Sequence, residues 1–160
     1  MADEIPETDD RNPADVLNAM VERVLALAVT WPAWDGRPRP RKDGAFVYTP
    51  HKAIRRVTDH LVDHLAEVEA RVAGVGALPD HWHGSALTSA ADMTPFTSED
   101  LDEARSRLTR LAQLWTLRLG ALAPERLDQP EGGAWTLRQV AFHTANSVVY
   151  AEAVGDLGRS

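Results

Sequence analysis

Four segments with an apolar residue every three or four positions dominate the sequence, and each begins at a residue that favours a helix N-terminus. Asn12 and Thr49 each precede a proline that suits the first helical position, whereas Thr97 and Thr136 can each form a capping box with the side chain three residues later. No segment shows the sustained alternation of a strand bounded by hairpin turns. The pattern therefore predicts an all-α four-helix bundle, because four amphipathic helices bury their apolar stripes best by packing together. The predicted helices cover about residues 13–29, 50–73, 98–122 and 137–154.

The length of the chain and its remaining segments are consistent with one such domain. A length of 160 residues is typical of a single domain. Residues 1–12 are acidic and polar and are predicted to form a disordered tail, whereas residues 13–156 are predicted to form the bundle. The connections over residues 30–48 and 75–96 are long, and loops of this length in a compact domain are usually functional or disordered.

Tryptophans are concentrated in these two long loops, at Trp31, Trp34 and Trp82. Two interpretations stay open: the indoles cap the ends of the bundle, or the loops pack over a bound molecule. A second copy of the chain would also bury them, so a homodimer is a candidate assembly.

Composition and charge exclude several functional classes. The formal net charge is −7, which would repel a phosphate backbone and makes nucleic acid an unfavourable partner. The chain has no cysteine and therefore no disulfide, thiolate metal site or cysteine nucleophile, which fits a cytoplasmic location. No apolar run approaches the roughly 20 residues that span a bilayer, and the first residues do not resemble a signal peptide. We therefore expect no membrane partner.

Three histidines in two predicted helices suggest a metal site. His60 and His64 are four residues apart, so their imidazoles share one helix face and can reach one cation. Residues 55–70 align without gaps with residues 138–153, which puts His143 in the place of His60. Three neutral imidazoles with one side open form a zinc-like site, although imidazole also suits nickel, iron and copper. The alternative is a set of hydrogen-bonded interior histidines.

Four further residues are weaker candidates for the same site. Glu67 shares the face of His60 and His64 and is a candidate fourth ligand or general base. Tyr150 corresponds to Glu67 in the internal alignment, and its hydroxyl is a candidate for orienting a bound group. Their alternatives are an edge carboxylate paired with an arginine and an interface aromatic. His81 and His83 flank Trp82 in a loop and are reserve ligands only.

Two motifs resemble the DinB/YfiT-like superfamily. The run AWTLRQVAFH ending at His143 is similar to its Trp-Ser/Thr-x-x-x-Val-x-x-His helix start, and RVTDHLVDHLAEVE is similar to its His-x-x-x-His helix. With the capped third helix, the resemblance covers roughly residues 48–155. In that superfamily the single histidine precedes the pair, whereas here the pair comes first and Ser147 stands where a second histidine would follow. The resemblance therefore implies a permuted helix order.

This resemblance implies a function as well as a fold. It implies a four-helix bundle, often dimeric, in which His60, His64 and His143 hold a divalent metal, usually zinc or nickel. Its characterised members include transferases and isomerases that use a low-molecular-weight thiol such as mycothiol, bacillithiol or glutathione, whereas many members have no known activity. The expected function is therefore that of a metal-dependent enzyme acting on a small-molecule substrate. The alternative is a non-catalytic bundle that binds a small ligand or a protein, with structural or metal-free histidines.

Overall fold

The computed structural model describes residues 4–41, 44–79 and 81–158, most of which are helical. The all-α prediction is confirmed. A minimal antiparallel pair of strands, β1 (Arg39–Pro40) and β2 (Val47–Tyr48), lies in the loop ahead of the second helix. The helices are α1 (Pro13–Ala28), α2 (Pro50–Ala73), α3 (Ser98–Gly120), α4 (Pro124–Leu127), α5 (Leu137–Ala145) and α6 (Val148–Val154).

The long helices begin and end where local side-chain chemistry predicts. At the start of α3, the side chains of Thr97 and Asp100 each accept a hydrogen bond from the backbone N–H of the other residue. Thr136 and Gln139 form the same capping box at the start of α5. α2 ends at Gly74, whose φ of 72° lies in the left-handed region that glycine adopts without steric cost. The boundaries are therefore set largely by residues next to them in sequence.

α2 and the α5–α6 segment lie side by side and antiparallel, which positions the site described below. Tyr48, just ahead of α2, contacts Tyr150 in α6, whereas Arg71 near the end of α2 binds the carbonyl of Trp135 just ahead of α5. α1 packs against α3 on one side and against α5 and α6 on the other, and α2 contacts the same three helices.

The core contains most of the predicted apolar stripes, with local exceptions. Trp115 of α3 is fully buried, and its indole N–H donates to the carbonyl of Leu61 in α2 at 3.0 Å. Leu114 and Val72 fit the apolar periodicity of α3 and α2, which predicts that they are buried, but they are 51% and 38% exposed. Leu114 is adjacent to Trp115, and adjacent residues on a helix point about 100° apart, so burying the larger indole turns the leucine outward.

The predicted fourth helix over residues 137–154 is interrupted, which corrects the expectation of one continuous helix. At the break, the pattern changes to carbonyls three residues back. The N–H of Asn146 is shared between Phe142 at 3.2 Å and His143 at 3.1 Å, and the N–H of Ser147 bonds to Thr144 at 3.1 Å. The hydroxyl of Thr144 also donates to the carbonyl of Val140, a bond that tends to bend helices. Asparagine and serine favour such helix interruptions. The interruption lies at Asn146 and Ser147, about one helical turn after His143.

Residues 4–12 have no helix or strand and lie against the bundle. Arg138 of α5 donates hydrogen bonds to the carbonyls of Arg11 at 2.8 Å and Asp9 at 3.3 Å. The predicted disorder of residues 1–12 and the domain limits at 13–156 stay predictions.

α1 with the turn that follows it, Pro13–Ala33, is 21 residues long and apolar enough to cross a membrane by length and composition. This corrects the expectation that no such run exists. In the structure, Leu17 and Val24 of this helix are fully buried in the core. Because core helices of globular proteins meet the same two criteria, the absence of a membrane partner and the cytoplasmic location stay predictions.

Lys52 is buried under the loop that precedes α3, and its replacement by methionine should destabilise the fold. Its ammonium donates to the carbonyls of Val47 and Ser85 at 2.8 and 2.7 Å and to the hydroxyl of Thr88 at 2.9 Å. Lys52→Met would leave these acceptors unpaired, and we expect a loss of about 3 kcal/mol in the free energy of unfolding, measured by urea titration. The exposed Arg107→Met is the control. Equal urea midpoints would contradict the structural role of Lys52.

Candidate metal centre

His60 and His64 of α2 and His143 of α5 converge at one place in the bundle. Each offers a ring nitrogen, and these atoms all lie within 4.8 Å of one another. The ring centroids are 5.8 Å apart for His60 and His64, 5.8 Å for His60 and His143, and 4.9 Å for His64 and His143. Zinc–nitrogen bonds of about 2.0–2.1 Å place tetrahedral ligands about 3.4 Å apart, so small ring rotations would bring the three nitrogens to binding distance. The histidines therefore lie close enough to bind a metal ion.

His60 is prepared to act as a ligand through its Nε2 atom. Its Nδ1 lies 3.0 Å from the carbonyl oxygen of Arg56. A carbonyl only accepts, so Nδ1 carries the proton and Nε2 presents its lone pair. Burial lowers the pKa of His60 from 6.5 to about 4. The ring is therefore neutral near pH 7, as a metal ligand must be.

His64 has a buried polar atom without a hydrogen bond. Its Nδ1 lies 3.5 Å from Oε1 of Glu67 and 3.9 Å from Oδ2 of Asp63. The neighbouring His64 imidazole lowers the pKa of Glu67, which keeps that carboxylate ionised. A small rotation of the ring would let Nδ1–H donate to Glu67 and direct Nε2 away from it. Such a carboxylate–histidine pair is the usual support of a metal-bound imidazole.

The ring of His143 packs against that of Trp135, whose backbone carbonyl is hydrogen-bonded to α2. The ring centroids of His143 and Trp135 are 4.8 Å apart. The carbonyl of Trp135 accepts a hydrogen bond from Arg71 at 2.7 Å, and Arg71 also binds Glu131 at 2.8 Å. Sequence reasoning did not single out Arg71 or Trp135. Their only signals were the position of Arg71 four residues after Glu67 and the place of Trp135 at the start of its motif.

The triad faces an open cleft of about 1890 Å³. Of the residues that the structure describes, the three histidines form a group whose potential ligand atoms all lie within 4.8 Å of one another, and Glu67, the candidate fourth ligand, is not part of it. The reserve ligands His81 and His83 are exposed and lie outside this group. A site with three protein ligands and an open position is the arrangement of catalytic rather than structural zinc.

The two candidate catalytic residues occupy different positions. Glu67 lines the cleft and lies between His64 and Arg71, whose Nη1 is 3.6 Å from its Oε2. Tyr150 packs behind His60, with ring centroids 5.4 Å apart, and is not among the residues that line the cleft. This geometry favours a role for Tyr150 in positioning His60 over the predicted role of orienting a bound group.

A half-buried ion pair lies beside His60. The guanidinium of Arg56 lies 5.2 Å over the ring of Tyr150, and its Nη1 is 3.6 Å from Oδ2 of Asp59. Burial raises the pKa of Asp59 despite this positive charge. Both charged groups line the cleft, so the wall next to His60 is polar.

The antiparallel arrangement explains which residues of the internal alignment meet. His60 and its counterpart His143 lie close to the crossing of the two helices and are neighbours. Glu69 and its counterpart Glu152 lie away from it and pair with other helices: Glu69 with Arg118 of α3, and Glu152 with Arg23 of α1.

The chain was compared with family models, with curated proteins and with solved structures, and none of them matches. The resemblance to the DinB/YfiT-like superfamily therefore stays a prediction that rests on the two motifs. The geometry of the triad is independent of that resemblance.

Proposed function

We propose that the protein is a metal-dependent enzyme in which His60, His64 and His143 hold a divalent cation, zinc or nickel. The observation that carries the proposal is the convergence of three ring nitrogens within 4.8 Å at the wall of a large cleft, with no fourth ligand from the described residues. The position of Glu67, 3.5 Å from Nδ1 of His64, supports it, because such a carboxylate would hold the ring with Nε2 towards the cation.

We further propose that the bundle is of the DinB/YfiT-like type with a permuted helix order. Two features support this. In the motif from Trp135 to His143, the tryptophan ring packs against the histidine ring. This contact is expected if both residues of the motif contribute to one site. The His-x-x-x-His pair of α2 faces the same histidine although it precedes it in the chain.

The proposed chemistry is the transfer or isomerisation of a small-molecule substrate with the help of a low-molecular-weight thiol. A divalent cation on three neutral imidazoles supplies Lewis acidity and lowers the pKa of a coordinated thiol or water towards neutrality. The thiol must come from a cosubstrate, because the chain has no cysteine. The cleft of about 1890 Å³ exceeds the usual 300–1,000 Å³ of a single small-molecule pocket and has room for two reactants.

The chain's own residues have separate roles in this proposal. His60 stays neutral because it is buried and because Nδ1 keeps its proton on the carbonyl of Arg56. Glu67 lies 3.5 Å from Nδ1 of His64 on the cleft side and is the candidate residue for orienting this ring. Its lowered pKa makes it a weak base, which favours this role over that of a general base.

Cobalt substitution tests the proposed chemistry. Co²⁺ is loaded in place of the native metal, and bacillithiol, mycothiol or glutathione is added. We expect a thiolate-to-cobalt charge-transfer band in the near ultraviolet with one of these thiols and none in His143→Ala. A cobalt spectrum that no thiol changes would contradict the thiol chemistry, while leaving the metal site itself intact.

The role of Glu67 can be tested by comparing Glu67→Gln with Glu69→Gln. Both changes remove one negative charge from α2, but Glu69 pairs with Arg118 of α3 and not with the triad. Loss of a carboxylate that orients a ligand typically weakens metal binding about 10–100-fold, so we expect that loss in Glu67→Gln alone. Competition with a chromogenic chelator measures it. Equal losses in the two variants would show that only overall charge matters.

A further inference from the structure

A second, mainly apolar chamber of about 480 Å³ lies beside the cleft, between α2 and residues 77–79, 81 and 82. This volume is within the range of small-molecule pockets and suits a short alkyl chain or a single ring. Its apolar lining comes from the side chains of Val62, Ala66, Ala77, Leu78, Pro79 and Trp82.

The chamber shares part of its wall with the cleft that the histidine triad faces. Asp63, Glu67, Ala77 and Trp82 line both spaces. Glu67 also lies 3.5 Å from His64, so one side chain separates the chamber from a candidate metal ligand. A molecule held at the triad could therefore extend past Glu67 into the chamber.

Three large apolar side chains that line the chamber are exposed to water. Leu78 is 82% exposed, Trp82 45% and Val62 40%. Contiguous apolar surface bordered by carboxylates such as Asp63 is typical of a ligand groove, because an apolar ligand group would remove this surface from water. The polar wall next to His60, formed by Arg56 and Asp59, offers no comparable place for an apolar group.

We propose that this chamber is the specificity subsite of the enzyme and receives an alkyl or phenyl group of its substrate while the reacting end lies at the triad. The inference rests on the proposed metal-dependent function. It assigns the substrate class as a small molecule with a polar reacting end and an apolar tail. Ala66 is the key position, because it is exposed on α2 and a larger side chain there would fill the chamber.

Hydroxamates of different tail length test the subsite without any knowledge of the substrate. Acetohydroxamate and octanohydroxamate carry the same metal-binding group, and each is titrated calorimetrically into the zinc-loaded protein. We expect octanohydroxamate to bind the native protein at least about tenfold more tightly, because its chain is buried in the chamber. In Ala66→Phe this preference should fall to about twofold or less, with the affinity for acetohydroxamate unchanged.

Ala26→Phe is the matched control, since Ala26 is an exposed alanine in the interior of α1 that lines neither space. It should keep the full preference for octanohydroxamate. Equal affinities for the two hydroxamates in the native protein, or an undiminished preference in Ala66→Phe, would overturn the subsite and leave the metal function standing. Failure of both hydroxamates to bind the zinc-loaded protein would overturn the proposed open metal position and the subsite with it.

Discussion

His143→Ala should abolish stoichiometric metal binding. The native protein, purified without a histidine tag, is expected to carry about one divalent ion per chain, and the variant almost none. His143 is the only member of the triad that comes from α5, so its loss leaves two imidazoles on one helix. Removal of groups that only orient metal ligands costs about 10–100-fold in affinity, and we expect the loss of a ligand itself to cost at least about 100-fold. Elemental analysis measures the metal content directly.

His81→Ala is the control for this experiment. It removes the same type of side chain from an exposed loop position outside the triad. We expect native metal content in this variant. Unchanged occupancy in His143→Ala, or an equal loss in His81→Ala, would remove His143 from the set of ligands.

Metal removal should lower the melting temperature of the native protein by about 8–16 °C. A ligand present at about 1,000 times its Kd stabilises the folded state by about 4 kcal/mol. For a chain of this length, each kcal/mol shifts the melting temperature by about 2–4 °C. The stabilisation arises because α2 and α5 form the triad only when they are packed together. Calorimetry with and without a chelator measures the difference.

The same chelator experiment on His143→Ala separates metal binding from other effects of the chelator. Because this variant has lost the ion, its melting temperature should be the same with and without chelator. A native protein that melts at one temperature under both conditions would show that the ion contributes nothing to folding stability.

The helix boundaries could be predicted because they depend on residues close together in sequence. Thr97 and Asp100 cap α3 whatever α3 packs against, and Gly74 ends α2 by its own backbone freedom. The His60–His64 pair could be found for the same reason, since helical spacing alone places both rings on one face. His143 was found through the internal alignment and the motif that ends at it, and neither of these by itself brings two helices together.

Features that depend on tertiary packing could not be predicted. The break after α5 depends on bonds such as that from Ser147 to Thr144, and the sequence around them is also compatible with a continuous helix. Arg71 and Trp135 are 64 residues apart, and their hydrogen bond exists only because α2 and α5 are antiparallel. Leu114 fits an apolar stripe as well as Trp115 does, and only the packed bundle decides which of the two is buried.

The cleft and the apolar chamber also depend on tertiary packing and could not be predicted from the sequence. The sequence places Trp82 in a long loop and predicts that it either caps the bundle or covers a bound molecule. The structure shows it partly exposed and lining both spaces next to the triad. Its position depends on how residues 77–79, 81 and 82 lie against α2, which no local pattern specifies.

Anomalous diffraction from crystals of the untagged protein, recorded at the zinc and nickel absorption edges, tests the metal site most directly. We expect one strong peak per chain, at bonding distance from ring nitrogens of His60, His64 and His143, with a coordination position facing the cleft. A map with no peak between these rings, or rings that point away from one another, would contradict this expectation.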